Sequence, residues 1–340
     1  MKVGVYYGPG DVRCEERPIP EIGPREILVE MKACGICGSD LMDWYLINRA
    51  PLVLGHEPSG IVVKVGEGVD KFKVGDRVFV HHHVSCMACR YCIHGDFTMC
   101  DQFRKTHLDP GGFAEYFRVP EPNVKFDTLK LPDEMSFEEA TIIEPLACCI
   151  RAVNRCNILP GDMVTVIGAG SAGAMITKLS KLSGAAKVIV SDIIDRRLEI
   201  VRKFGADVVI NPTKEDMGEI VLAETDGYGA DVVIVTAPSI KAIESGINVC
   251  RKGGLLCLFA PTSPEEALHV RPHKLFFSEI KIISSYSTTH IETRMALNMI
   301  RTRTIDAREF ITHRFKLEEI SKAYKVAKSM EGLKVIVLNE

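Results

Sequence analysis

The sequence predicts an α/β protein: a Rossmann-type, doubly wound parallel sheet joined to an all-β, barrel-like unit. Three observations carry this. Residues 1 to about 80 hold short β-branched runs bounded by Gly, Pro and Asp. From Met163 onward, strand-like and helix-like stretches alternate, as a parallel sheet with crossover helices requires. Where the period changes stands Gly168-Ala169-Gly170-Ser171-Ala172-Gly173, between a strand pattern and a helix pattern.

Bulk properties bound the function. A chain of 340 residues favours about two domains. Hydrophobic residues make up 46% and charged residues 26%, the balance of a globular chain with a full core. The net charge of −3 offers no basic excess, which argues against nucleic-acid binding. No apolar run reaches the roughly 18 residues of a membrane helix, and no signal peptide is read. Twelve cysteines without a secretion signal point to thiols and metal in a cytoplasmic protein rather than to disulfides.

In the β-rich part, Ile27 to Ala33, Gly60 to Val65 and Arg77 to Val80 read as strands. Between them lie Cys34-Gly35-Ile36-Cys37-Gly38-Ser39-Asp40 and Gly55-His56-Glu57. A thiolate, an imidazole and a carboxylate from Cys37, His56 and Glu57 can hold one zinc ion and leave a fourth position open, as catalytic zinc sites do. One thiolate and one carboxylate cancel Zn²⁺, so the site can still stabilise an oxyanion. Gly60 and Gly66 follow at fixed offsets, which predicts positive φ or close backbone approach.

Next, His81-His82-His83 reads as a strand end with mixed buried and solvated imidazoles, although a His run also binds metal adventitiously. Cys86, Cys89, Cys92 and Cys100 follow within one short lobe, about residues 84–102. Four thiolates at that spacing close a tetrahedral structural zinc shell, and the metal supplies folding energy that a small loop lacks. Arg104, Lys105 and His107 read as a solvated loop, and Gly111 to Tyr116 as a turn into another strand. A helix is expected over Glu138 to Asn154, capped by Ser136 and kinked at Pro145.

The second half reads as strand Met163 to Ile167, the glycine loop, a helix to Leu182, and strand Lys187 to Ser191 ending at Asp192. Gly168, Gly170 and Gly173 let a dinucleotide pyrophosphate approach a helix N-terminus, and Asp192 is placed for the adenosine ribose. Asp192 repels a 2′-phosphate, which favours NAD; Arg196 and Arg197 keep NADP as the alternative. Further elements are expected at 208–210, 214–224, 231–235, 240–250, 255–259 and 280–284.

Together the Gly55-His56-Glu57 frame, the four-cysteine lobe and the dinucleotide fingerprint resemble the zinc-dependent medium-chain dehydrogenase/reductase family, in its polyol (sorbitol-like) branch. The resemblance covers nearly the whole chain. It implies a chaperonin-10-like catalytic domain over 1–147 and 286–340, a Rossmann domain over 148–285, and an active site between them. It implies two zinc ions per chain, one catalytic and one structural, and a homotetramer or homodimer. Zinc polarises a substrate hydroxyl and hydride passes to the nicotinamide. Glu144, in Glu144-Pro145, matches a fourth or exchangeable zinc ligand. Ser39 matches the hydroxyl that takes the substrate proton, and Asp40 an acid that orients the zinc ligands.

Two positions depart from the family pattern. Met42 replaces a histidine that relays the proton, so ribose, water or another group must do so. Ser285-Tyr286 replaces an Arg-Tyr pair of sorbitol dehydrogenases. Trp44 and Tyr45 read equally as pocket wall or core. The expected function is oxidation of a polyol or sugar alcohol, secondary alcohol to ketone. The alternatives are a threonine or sugar-phosphate dehydrogenase, and a non-catalytic nucleotide-binding relative.

Overall fold

Strand pairing in the first half of the chain brings distant motifs together. In this computed structural model, which describes residues 1–339, Ile27–Gly35 pairs antiparallel with Glu57–Val65, with Gly35 opposite Glu57 and Cys34 opposite Pro58. These are central strands of a seven-stranded sheet. Its path runs Ile311–Lys316, Lys334–Leu338, Ile27–Gly35, Glu57–Val65, Arg77–Val80 and Thr128–Lys130, with Tyr116–Val119 also on Ile27–Gly35. A smaller sheet orders Asp11–Glu16, Lys2–Gly8 and Leu52–Val53.

The strand Glu57–Val65 starts three residues earlier than the expected Gly60. Pro58 argues against a central strand because it lacks an N–H. Here the neighbouring strand Arg77–Val80 reaches only to Ser59, so Pro58 has a free side. Gly60 and Gly66 serve close approach: a Cβ on Gly60 would run into Glu30 O, and one on Gly66 into Gly23 O. Inside this unit Ile27, Met31, Val62 and Phe117 are fully buried. Truncating any one to Ala costs roughly 2–5 kcal/mol.

The chain divides into two compact units, residues 1–147 with 287 onward, and residues 148–286. The boundary falls inside the helix Ile143–Cys156. The single helix expected from 138 to 154 is in fact two, Phe137–Ala140 and Ile143–Cys156. Ser136 caps the first by accepting from Glu139 N–H at 3.1 Å, while Ser136 N–H donates to the Glu139 carboxylate. Pro145 therefore does not kink a helix. It sits in the first turn of the second one, where its missing N–H has no partner to lose.

The second unit holds a six-stranded parallel sheet. Its order is Val208–Ile210, Lys187–Ser191, Met163–Ile167, Ala230–Val235, Cys250–Leu258 and Lys281–Ser284. The order reverses direction beside Met163–Ile167, the strand that feeds the glycine loop. The helix expected from Lys214 begins at Met217, because the Asp216 side chain accepts from Glu219 N–H and caps it there. The expected short strand at 255–259 is longer, Cys250–Leu258. Among the described residues, no helix is long and apolar enough to cross a membrane.

Candidate active site and metal centres

The pairing of Gly35 with Glu57 sets the first site. Cys37 lies two residues past Gly35, and His56 immediately precedes Glu57. Ligand atoms of Cys37, His56 and Glu57 lie within 4.8 Å of one another. Tetrahedral zinc with bonds of 2.0–2.3 Å spaces its ligands roughly 3.3–3.8 Å apart, so small side-chain adjustments close the shell with one corner open. Gly35 is a steric requirement: a Cβ there would fall onto Glu57 Oε2.

Asp40 organises this trio. Its Oδ2 accepts from Cys37 N–H at 3.0 Å, and its Oδ1 lies 3.3 Å from His56 Nδ1. His56 is thereby turned to present Nε2 to the site. Burial opposes charge on His56, yet Asp40 and the Cys37 thiolate outweigh it and raise its pKa well above the usual range. A field that favours a proton on this imidazole also favours a metal cation beside it. Ser39 is half-buried in the short 3₁₀ turn Gly38–Leu41.

Glu57 has a partner that sequence reasoning missed. Lys334 Nζ donates to both of its carboxylate oxygens, at 2.7 and 2.8 Å, and to Ile36 O at 3.2 Å. Both side chains are almost fully buried. Burial pushes the Glu57 pKa up, with Lys334 pulling against it. Burial pulls Lys334 down, but Glu57, Cys37 and Glu144 override it and leave it raised. The simple cancellation of Zn²⁺ by Cys37 and Glu57 is therefore incomplete. Lys334 adds a positive charge and Asp40 and Glu144 add acidic groups, so the balance around a Zn²⁺ ion is not set by Cys37 and Glu57 alone. No local sequence pattern marks Lys334, because it arrives on the strand Lys334–Leu338.

Cys86, Cys89, Cys92 and Cys100 converge. Cys89 Sγ and Cys92 Sγ are 3.5 Å apart, and Cys86 Sγ and Cys92 Sγ 4.0 Å. These values bracket the roughly 3.8 Å edge of a Zn–S₄ tetrahedron. Backbone N–H groups of Ala88 and Cys89 bring the Cys86 thiol down to about 6, whereas burial and its neighbouring thiols push Cys92 up to about 12. All twelve cysteines are free of disulfides.

The imidazole run follows the end of the strand Arg77–Val80 and is mixed as expected: His81 and His83 are buried and His82 is half-buried. His81 and His82 gather with Glu144, their ligand atoms within 4.8 Å of one another. Arg104 and Lys105, expected as loop, end the short helix Asp101–Lys105. Trp44 and Tyr45 are exposed, which removes the core reading. Ser285 is buried and Tyr286 is 41% exposed.

In the second unit, Gly168 has φ +107°, and a Cβ on Gly173 would strike Gly168 O. The glycines thus let the helix Ser171–Leu182 start directly against the loop. Its first turn carries no acid, so its partial positive charge is open to an anion. Asp192 Oδ2 accepts from Ala169 N–H at 2.7 Å, and Oδ1 from Ile194 N–H at 2.9 Å. Each oxygen retains a lone pair for another donor. The Arg197 guanidinium lies 3.8 Å from Asp192 and beside Gly170.

Known proteins share this architecture. The alcohol dehydrogenase GroES-like domain matches residues 23–133, and the zinc-binding dehydrogenase domain matches 172–302. Sorbitol dehydrogenase of Mus musculus is 34% identical over 98% of this chain and 94% of its own. The chain belongs to the zinc-dependent medium-chain dehydrogenase family. The fold of this dehydrogenase is similar to that of a zinc-binding dehydrogenase from Sinorhizobium meliloti 1021 bound to NADP, at TM-score 0.89, 27% identity and 99% coverage of both chains. It is also similar to galactitol-1-phosphate dehydrogenase from Escherichia coli, at TM-score 0.87, 26% identity and full coverage of both chains.

Proposed function

We propose that this dehydrogenase oxidises a polyol or sugar alcohol at a secondary hydroxyl, giving a ketone, with NAD as hydride acceptor. The observation that carries the reading is the gathering of Cys37, His56 and Glu57 around one point, with Asp40 orienting them. The 34% identity with a sorbitol dehydrogenase supports the substrate class. A zinc ion held there supplies the Lewis acidity that lowers the pKa of a hydroxyl beside it.

The chain's own residues do the rest. Cys37 and His56 would hold the metal position, with Glu57, held by Lys334, as the third donor. Glu144 balances the charge and offers a fourth donor. Ser39 takes the substrate proton. Met42 has no group to pass it on, so the proton leaves through water or the cofactor ribose. Cys86, Cys89, Cys92 and Cys100 hold a second, structural zinc.

Gly168, Gly170 and Gly173 seat the pyrophosphate. Asp192 accepts from the ribose hydroxyls with its remaining lone pairs, and Arg197 lies beside it. A 2′-phosphate would meet the Asp192 carboxylate, which favours NAD over NADP. We read the first unit as catalytic and the second as nucleotide-binding. Self-association into a homodimer or homotetramer belongs to the same reading. Lys281–Ser284 is an outer strand, and the preceding helix exposes Phe276 and Phe277 at 75% and 68%. Twelve free thiols fit a reducing compartment such as the cytoplasm.

The test is a substrate screen on metal-verified protein, following reduced nicotinamide with NAD and NADP in parallel. The panel holds polyols, sugar phosphates, threonine and simple secondary alcohols. Turnover of a polyol with NAD, lost in Cys37→Ala, is the expected result. Turnover confined to a sugar phosphate or to threonine would overturn the substrate class, and preference for NADP would overturn the role given to Asp192.

A further inference from the structure

His81 is a fully buried imidazole with one nitrogen held and one bare. Its Nδ1 donates to Asp127 Oδ2 at 2.8 Å, which leaves the lone pair on Nε2. Nε2 is buried with no hydrogen-bond partner. Asp127 is itself fully buried and fixed, its Oδ1 accepting from Thr293 Oγ1 at 2.7 Å and Arg294 Nη1 at 3.1 Å. A carboxylate bonded to Nδ1 while Nε2 stays bare is the arrangement that orients a metal-ligating histidine.

The neighbouring residue repeats the pattern. Buried Nδ1 of His82 also lacks a partner. Asn123 Nδ2 donates to the backbone oxygens of His81 and His82, at 2.8 and 3.0 Å, so both residues are held from behind. A ring nitrogen of each lies within 4.8 Å of a Glu144 oxygen. Buried polar atoms without partners are rare and call for an occupant.

We propose that His81, His82 and Glu144 bind a second divalent transition-metal ion beside the Cys37–His56–Glu57 position. Two neutral imidazoles and one carboxylate suit zinc, cobalt or ferrous iron, and leave open positions for oxygen donors. The two positions are neighbours: the His56 and His82 ring centroids are 4.6 Å apart. Glu144 also contributes to the field at Glu57 and Lys334, beside the first position. Two adjacent cations would present two adjacent Lewis acids, which matches two adjacent oxygens of a vicinal diol. The diol assignment rests on the polyol reading; the metal site does not.

The experiment counts metal. The full-length protein is equilibrated with excess Zn²⁺, desalted, and measured by inductively coupled plasma mass spectrometry against amino-acid concentration. Wild type should hold three ions per chain, and His82→Ala two. Cys37→Ala should lose a different ion and keep the one at His81 and His82. Cobalt loading distinguishes them, since loss of the His82 ion leaves the thiolate-to-cobalt absorption intact. His82→Gln serves as a second variant, with circular dichroism as the folding check. Two ions in wild type would overturn the proposal, whatever the variants do. So would three ions that persist in both His82 variants, or loss of thiolate-to-cobalt absorption from the Cys37 position on changing His82, which would mean one composite site. A third ion with no polyol turnover would leave the metal site standing and remove only the diol assignment.

Discussion

Cys86, Cys89, Cys92 and Cys100 come from one stretch of fifteen residues, whereas Cys37, His56 and Glu57 are joined by pairing between two strands. Around the four cysteines the buried apolar cluster is small, with Phe103 and Phe97 beside the thiols themselves. The other trio sits on strands and turns whose neighbouring residues Cys34, Ile36 and Leu54 belong to the main core of the first unit. With so little core of its own, the lobe would draw much of its order from an ion held by the four thiols. The trio is positioned by a sheet that would exist without any ion. One metal region is part of what folds, and the other is held by what has already folded.

Cys37→Ala separates the two most strongly. Turnover should fall roughly a thousandfold or more, the scale of removing a Lewis acid or a main transition-state donor, while the Cys86–Cys100 zinc stays bound. Metal analysis and kinetics check both halves. A variant with near-normal kcat/KM would remove Cys37 from the site.

Lys334→Ala addresses the pre-built side. Leaving Glu57 buried without its counter-charge should cost about 3–5 kcal/mol in metal-stripped protein, and less once zinc is restored, because the ion takes over the carboxylate. Urea unfolding with and without chelator measures the difference. Equal losses in both forms would mean that Lys334 and zinc do not share Glu57.

Cys92→Ser addresses the metal-dependent side. One zinc per chain should be lost, residues 84–102 should become open to proteolysis, and Tm should drop by roughly 3 °C, the scale of about 2 kcal/mol in a chain of this size. The smallest expected change comes from Asp40→Asn. It weakens the hold on His56 and should lower metal affinity or activity about 10–100-fold, with no effect on the lobe. Isothermal titration with zinc reads this directly.

Legibility in the sequence followed the same division. The four-cysteine lobe is local, so its spacing alone predicted that the four thiols converge, and the glycine loop with Asp192 was readable because its geometry is encoded within about twenty-five residues. Short motifs likewise marked Cys37 and His56. What stayed hidden depends on distance along the chain. Lys334 reaches Glu57 only through pairing of Lys334–Leu338 with Ile27–Gly35. Asp127 holds His81 Nδ1 across 46 residues and leaves Nε2 as a bare acceptor. Helix ends were misjudged where side-chain capping decided them: Asp216 delayed a helix that periodicity alone starts at Lys214, and a break at 141–142 put Pro145 in a first turn.

The late arrival of Lys334 has a consequence for biosynthesis. Its codon is read 277 residues after that of Glu57, a gap of roughly 15–55 s at ordinary elongation rates. During that interval the nascent chain already contains Cys37, His56 and Glu57 but not the cation that occupies Glu57 in the finished protein. The carboxylate is then most available to a metal ion while the ribosome is still working, and the last strand closes over it afterwards. Zinc offered during translation therefore meets a Glu57 that Lys334 does not yet hold.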